Sequence, residues 1–275
     1  GLGINNFRYY HNIMTTFSVP TLAQMNASGE APEVLFWVGC AGSFDDRAKK
    51  ITKAMAKILH HGGVSFAVLG TEEGCTGDPA KRAGNEFLFQ MQALMNIEVL
   101  NGYGVKNIVT TCPHCFNTLK NEYPELGGNY KVEHHSQFLN NLLKEGRLNV
   151  EGGQFKGKKI TFHDPCYLGR ANDEYEAPRA LLQKLDIELT EMKRCKQNGL
   201  CCGAGGAQMF KEAEKGDAEI NHVRADEAME TKADIVVAGC PFCNTMLTDG
   251  IKNREKEEEV QVLDLAEMIA LAEDL

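Results

Sequence analysis

The 275 residues carry 29 basic and 38 acidic side chains, for a formal charge of −9, and 43% are apolar. That balance argues against nucleic acid as the main partner, and no apolar run approaches the roughly 18 residues needed to cross a bilayer. The length suits two domains of ordinary size, each with a real core.

Residues 1–31 read as an N-terminal arm or extension; Gly1–Ile13 look unlike the rest, and Met14 would make a natural start. A first domain is expected over 32–150 and a second over 151–275, joined through Gly146–Lys158. In the first, Glu33–Val38 is an apolar strand ending at Gly39-Cys40. Asp45–His61 has helical periodicity, with Ile51, Met55, Ile58 and Leu59 on one face and Gly62-Gly63 as the stop. Val64–Leu69 is a strand leading to Cys75, Asn85–Leu100 a helix, and Asn107–Thr111 a strand ending at Cys112-Pro-His-Cys115. A helix over Phe116–Tyr123, a strand over Tyr130–Glu133 and a helix from Ser136 follow.

The second half runs the same programme. Lys159–His163 is a strand ending at Asp164-Pro-Cys166, Pro178–Leu185 a helix, and Ile187–Met192 a strand leading toward Cys201-Cys202-Gly203. Ala218–Thr231 is a helix and Asp234–Ala238 a strand ending at Cys240-Pro-Phe-Cys243; Val260–Leu263 and Leu265–Ala272 are the last strand and helix. Strands alternating with helices predict an α/β fold: two pseudo-symmetric tandem repeats, each a parallel sheet of about four strands flanked by helices. Sites in such sheets form beyond the carboxyl ends of the strands. Each repeat cysteine, save the second of each Cys-x-x-Cys, falls just after a strand.

The cysteines share one ruler. Cys40, Cys75, Cys112 and Cys115 are spaced by 35, 37 and 3 positions; Cys166, Cys201, Cys240 and Cys243 by 35, 39 and 3. A quartet of thiolates is enough to hold a metal or an iron–sulfur cluster. Ten cysteines with no evident secretory leader argue for reduced thiols, not a disulfide framework. Each Cys-x-x-Cys alone suits a thioredoxin-like dithiol, where a helix N-terminus lowers a thiol pKa. That reading leaves Cys40, Cys75, Cys166 and Cys201 unexplained, whereas ligation explains all eight. A structural zinc site remains a further alternative. In Cys201-Cys202-Gly203-Ala-Gly-Gly206, adjacent cysteines meet glycines that let backbone N–H groups approach an inorganic centre. The first repeat has Thr76 where Cys202 stands in the second, giving four thiols against five.

This duplicated pattern resembles the cysteine-rich CCG domain of the heterodisulfide reductases and their relatives, over roughly residues 33–270. Cys75-Thr-Gly-Asp-Pro-Ala-Lys-Arg82, Cys112-Pro-His-Cys-Phe-Asn-Thr-Leu119 and Phe162-His-Asp-Pro-Cys-Tyr-Leu-Gly169 are most similar to the iron–sulfur oxidoreductases linked to electron-transferring flavoprotein. The resemblance implies two [4Fe-4S] clusters. Carried over, the second would be held by Cys166, Cys201, Cys202, Cys240 and Cys243, with a noncubane geometry implied by the fifth thiol. The first would be held by Cys40, Cys75, Cys112 and Cys115; Thr76 departs from the pattern there, which counts against a noncubane cluster and leaves an ordinary cubane, a noncubane cluster or an empty site open. It further implies an oxidoreductase subunit carrying electrons from a flavoprotein-type donor to a quinone or disulfide-type acceptor. Direct disulfide reduction at the second cluster is the alternative. No ferredoxin-like Cys-x-x-Cys-x-x-Cys run occurs, so a separate ferredoxin-like or membrane quinone-reactive subunit is the expected partner, with electron-transferring flavoprotein as another. The expected location is cytoplasmic, or peripheral to a membrane.

Other residues carry weaker expectations. Asp78 reads as a helix N-cap beside Pro79, with an oxygen ligand as the alternative. Cys195 lies outside the ruler and reads as a free thiol, with a redox or accessory role as the alternative. His134 and His163 end strands and read as structural histidines, a proton relay or a hydrogen bond to cluster sulfur being the alternatives. His114 could tune potential by its charge. Lys81, Arg82 and Arg170 read either as cations raising a cluster's potential or as surface charges. Trp37, Met91 and Met95 read as core. No Gly-x-Gly-x-x-Gly loop supports flavin or nicotinamide binding.

Overall fold

The computed structural model describes residues 17–212 and 215–275; the expectations for Gly1–Ile13 and a start at Met14 lie outside them. The first half runs α1 (Leu22–Ala27), β1 (Val34–Trp37), α2 (Gly39–Phe44), α3 (Asp46–His61), β2 (Phe66–Ala67), α4 (Asp78–Arg82), α5 (Glu86–Gly102), β3 (Asn107–Thr110), α6 (Pro113–Asn117), β4 (Lys131–His134) and α7 (His135–Lys144). The second runs β5 (Lys159–His163), α8 (Glu176–Lys184), β6 (Glu188–Leu189), α9 (Ile220–Glu230), β7 (Ile235–Ala238), α10 (Pro241–Asn253), β8 (Gln261–Asp264) and α11 (Leu265–Ala272). The sheets have the same order, β2-β1-β3-β4 and β6-β5-β7-β8, and every pair is parallel. The expected pair of α/β repeats is therefore present.

Strand alternation splits each sheet's side chains between two cores. Val34 and Phe36 face one core; Leu35 and Trp37 face the other. The first core is common to both halves. It joins Ile51 and Leu59 of α3 with Phe162 of β5, Leu182 of α8 and Met268 of α11. Helix α3 packs on α11, and α7 on α8. The halves thus bury apolar surface against each other, the dominant favourable term in holding such units together. Polar groups fix their register. Arg47 grips both oxygens of Glu267 at 2.7 Å and the Val262 carbonyl at 2.8 Å. His134 Nε2 donates to the Gly239 carbonyl at 3.0 Å.

Several expectations need correction. The segment after Cys115 does not continue as one α-helix to Tyr123. Helix α6 passes into a π-helical turn over Thr118–Glu122 and then a tight turn over Tyr123–Leu126. Pro124 there has no N–H to continue an α-helical ladder. Met91 and Met95 are not core: they are 46% and 65% exposed. Helix α5 is apolar on every side, and its sheet takes the Phe89–Ala93–Ile97–Leu100 stripe. Phe87, Leu88, Met91, Leu94 and Met95 face outward. Trp37 is fully buried, as expected. Within the expected arm, α1 packs on the first sheet: Leu22 is buried and Thr21 pairs with Val68.

Candidate metal centres

Parallel strands in one order bring their carboxyl ends to one side, and the cysteines follow those ends. Cys40 lies in α2 just after β1. Cys75 lies in the loop beyond β2, Cys112 follows β3, and Cys115 sits in α6. Cys40 hydrogen-bonds with Cys75 and Cys112 with Cys115; Cys115 also feels the charge of Cys40 and Cys75. The contact with Cys75, helped by burial, pushes the Cys40 thiol far up. The same contact, aided by the Gly77 N–H, outweighs burial and brings Cys75 down to about 7. Gly39 has φ +77°, and a Cβ there would stand 3.3 Å from Cys115 Sγ. The backbone thus favours glycine there, and a side chain would sit tightly against the sulfur.

The second half builds the same arrangement with one more sulfur. Cys166 follows β5, Cys201 and Cys202 lie in the loop beyond β6, Cys240 follows β7, and Cys243 sits in α10. Cys201 hydrogen-bonds with both Cys166 and Cys202, which hold its pKa well below the ordinary thiol range. Cys202 also hydrogen-bonds with Cys243, and Cys243 with Cys240. The second set therefore forms one connected group of five thiols. Thr76 occupies the matching place in the first: it is 2% exposed, and its Oγ1 lies 3.9 Å from Cys115 Sγ.

Backbone N–H groups point at sulfur in both sets. Gly77 N lies 3.5 Å from Cys75 Sγ and Gly203 N lies 3.3 Å from Cys201 Sγ. These glycines have φ of +89° and +94°, so the same left-handed turn recurs. Cys243 N lies 3.4 Å from Cys240 Sγ. Cys112, Cys115, Cys202, Cys240 and Cys243 are buried, while Cys40, Cys75, Cys166 and Cys201 are half-buried. Converging thiols with N–H donors aimed at sulfur are the donor set of a soft metal or an iron–sulfur cluster. The residues present fit such a group.

His114 stands between the two sets. Its ring lies 4.2 Å from that of Tyr167, beside Cys166, and 6.0 Å from that of Phe242, inside the second Cys-x-x-Cys. Burial opposes a charge on His114, but Asp78 Oδ2, 2.8 Å from Nδ1, outweighs it and lifts the imidazole to about 9. Asp78 is therefore not the helix N-cap. Gly77 holds that position, and the Asp78 carboxylate is drawn to His114 and Arg82. Arg82 also pairs with Glu122, Lys81 lies 3.4 Å from Glu122, and Arg170 donates to the Gly199 carbonyl. These three cations are thus engaged by protein oxygens. Cys195 lies outside both sets, half-buried, its pKa raised by burial. His134 is structural: Nδ1 meets Ser136 Oγ at 2.8 Å while Nε2 serves Gly239.

Three contributors escaped the sequence reading. Glu73 accepts the N–H groups of Val38 and Gly39 at 3.1 and 2.6 Å, fixing the turn before Cys40; burial lifts its pKa to about 7. Arg179 makes a two-pronged pair with Asp164, at 2.8 and 3.0 Å, beside the turn into Cys166. Arg224, fully buried, donates from Nε to His163 Nδ1 at 2.9 Å. All three join residues remote in sequence, where no local pattern signals them.

The family model described as a cysteine-rich domain, CCG, matches residues 34–120 and 160–248. Those stretches hold all nine cysteines of the two sets. The chain is 45% identical over 253 residues to the probable iron-sulfur-binding oxidoreductase FadF of Bacillus subtilis, with 92% of this chain and 36% of that protein covered. It is 44% identical to the EtfAB:quinone oxidoreductase of Syntrophomonas wolfei, covering 88% of this chain and 34% of that one. It is 32% identical to one subunit of the dihydromethanophenazine:CoB–CoM heterodisulfide reductase of Methanosarcina barkeri, with 87% and 59% covered. The chain thus spans about a third of the first two relatives.

Proposed function

The chain belongs to the cysteine-rich CCG family, and from that premise we propose that it is the iron–sulfur, electron-carrying part of a larger oxidoreductase. Cys40, Cys75, Cys112 and Cys115 would hold one [4Fe-4S] cluster. Cys166, Cys201, Cys202, Cys240 and Cys243 would hold a second, noncubane one. Bound there, such clusters take up and release single electrons. The observation that supports this best is the convergence of four and five thiols, from segments up to 77 residues apart, with backbone N–H groups aimed at sulfur.

The chain's own residues would keep water off the sulfurs, supply N–H donors and hold the sets in fixed relation. Asp78 keeps His114 in place between them, against Tyr167 and Phe242. The donor would be a flavoprotein of the electron-transferring type, and the acceptor a quinone or a disulfide reached through a further subunit or domain. The relatives' extra length favours such a neighbour. The outward face of α5 suits its contact surface: Met95 lines a groove that also includes Cys75, and Phe87 is 75% exposed. No helix among the described residues is long and apolar enough to cross a membrane.

A second reading is direct disulfide reduction at the five-thiol set. It is favoured by a groove that Gly203, Met209, Asn221 and Met246 line beside the Cys-Cys-Gly loop. Iron and acid-labile sulfide analysis with EPR on anaerobically prepared protein tests the main reading. Iron and sulfide with two distinguishable signals, reducible by electron-transferring flavoprotein, are expected. Zinc without sulfide, or full dithiol activity in a colourless preparation, would overturn it.

A further inference from the structure

The last residue of the first strand in each repeat carries a buried ring nitrogen with nothing to bond to. Trp37 ends β1 opposite Thr110, and His163 ends β5 opposite Ala238, so the two hold equivalent places. Each lies three residues before the first cysteine of its set. Both are fully buried, and neither Trp37 Nε1 nor His163 Nε2 has a hydrogen-bond partner among the described residues. Buried polar groups are seldom left unpaired, because burial strips them of water and an unpaired one gets nothing in exchange. Two such groups at one repeated position point to a shared missing acceptor.

The surroundings identify that acceptor in the second repeat. A ring nitrogen of His163 lies within 4.8 Å of the sulfurs of both Cys202 and Cys243. Arg224 Nε can only donate, so His163 Nδ1 must accept, and the proton of the neutral ring falls on Nε2. Arg224 is held from behind by Glu227 at 2.7 Å and the Arg194 carbonyl at 2.8 Å. Its own Nη2 is also unpaired and buried. A neutral core would leave these donors stranded; an electron-rich sulfur centre would satisfy them. In the first repeat, Trp37 shares an apolar cluster with Cys112 and Cys115 and has a donor only.

We propose that His163, locked in one tautomer by Arg224, donates an Nε2–H hydrogen bond to sulfur of the second centre, and that Trp37 Nε1–H does the same in the first. This rests on the iron–sulfur reading above. Both are positioning residues, not ligands. A hydrogen bond to cluster sulfur stabilises the more negative, reduced form, so each would raise its centre's potential.

The test uses His163→Leu, which deletes the donor, and His163→Gln, whose amide nitrogen can replace Nε2. The readouts are iron and sulfide content, redox titration of the EPR signals, and exchangeable-proton couplings by ENDOR in H2O and D2O. Wild type should show a coupled exchangeable proton at the second centre. His163→Leu should keep its iron and sulfide, lose that coupling and become about tenfold harder to reduce, about 59 mV for a one-electron couple. His163→Gln should restore both. Trp37→Phe is an independent arm, expected to remove the coupling at the first centre alone. Unchanged couplings and potentials in iron-replete His163→Leu and Trp37→Phe would overturn the proposal. So would a nitrogen coupling large enough to show His163 bound directly to iron. Wild-type protein without iron and sulfide would overturn the iron–sulfur reading itself, a distinguishable result.

Discussion

Asp78 Oδ2 stands 2.8 Å from Nδ1 of His114, joining the start of α4, just after Cys75, to α6, which follows Cys112 and carries Cys115. The two side chains are 6% and 11% exposed, and Arg82 closes the group from Asp78's other side at 3.0 Å. One carboxylate therefore ties two cysteine-bearing segments together and holds His114 against the second repeat.

Removing that carboxylate should be costly. Breaking a buried pair by deleting one partner leaves the other charge stranded, at about 3 kcal/mol. Asp78→Ala should lose about that much stability in denaturant titrations. Asp78→Asn, which keeps an acceptor for His114, should recover part of it. Equal midpoints for wild type and Asp78→Ala would show that the pair carries no weight.

The difference between the two sets should be exchangeable at one position. Thr76 meets Cys115 as Cys202 meets Cys243. Cys202→Ser should alter the second centre's EPR signal and leave the first unchanged. Thr76→Cys should alter only the first, giving it five thiols. Equal disturbance of both signals by either variant would contradict the assignment.

Gly77 and Gly63 separate backbone strain from crowding. Both have positive φ, +89° and +62°, but a Cβ at Gly77 would lie 2.8 Å from the Phe89 ring and 3.2 Å from its carbonyl oxygen, while Gly63 has open space. Alanine at Gly63 should cost about 1 kcal/mol, the strain of the left-handed conformation. Gly77→Ala should cost clearly more and displace the N–H that faces Cys75. Thermal or chemical melts rank the two directly, and the reverse order would refute the crowding argument.

The contact between the halves should weaken in acid. Burial, with His135 close by, holds the pKa of His134 well below its ordinary 6.5. The rings are 4.3 Å apart, and His135 Nε2 in turn lies 3.1 Å from Asp264 Oδ1. Below pH 6.5 the unfolded chain binds a proton that the folded chain refuses, so stability is full above that value and falls as pH drops through it. The loss is on the order of 1 kcal/mol per pH unit until the folded pKa is reached. Denaturation midpoints of wild type and His134→Asn, measured from pH 7.5 to 5, check this: the variant's curve should be flatter. Parallel curves would exclude His134 as the source.

Much of the site was legible because it is carried by spacing. A parallel sheet gathers strand ends on one side, so cysteines placed after strands at a repeated interval must converge. The Thr76 departure was equally visible, since a repeat predicts what ought to stand there. Residues whose roles depend on remote partners were not legible. Asp78 beside Pro79 has the local form of a cap; its choice of His114, 36 positions away, exists only once the helices meet.

Periodicity and spacing are properties of the chain, so the order of residues alone set the tandem α/β plan, the strand ends and the nine sulfur-bearing positions. Folding had to choose which face of α5 is buried, since a helix apolar all round offers no stripe and the sheet must select one. Folding also made stranded donors of Trp37 and His163: whether a buried N–H has found an acceptor depends on what the packed chain brings within about three ångströms of it.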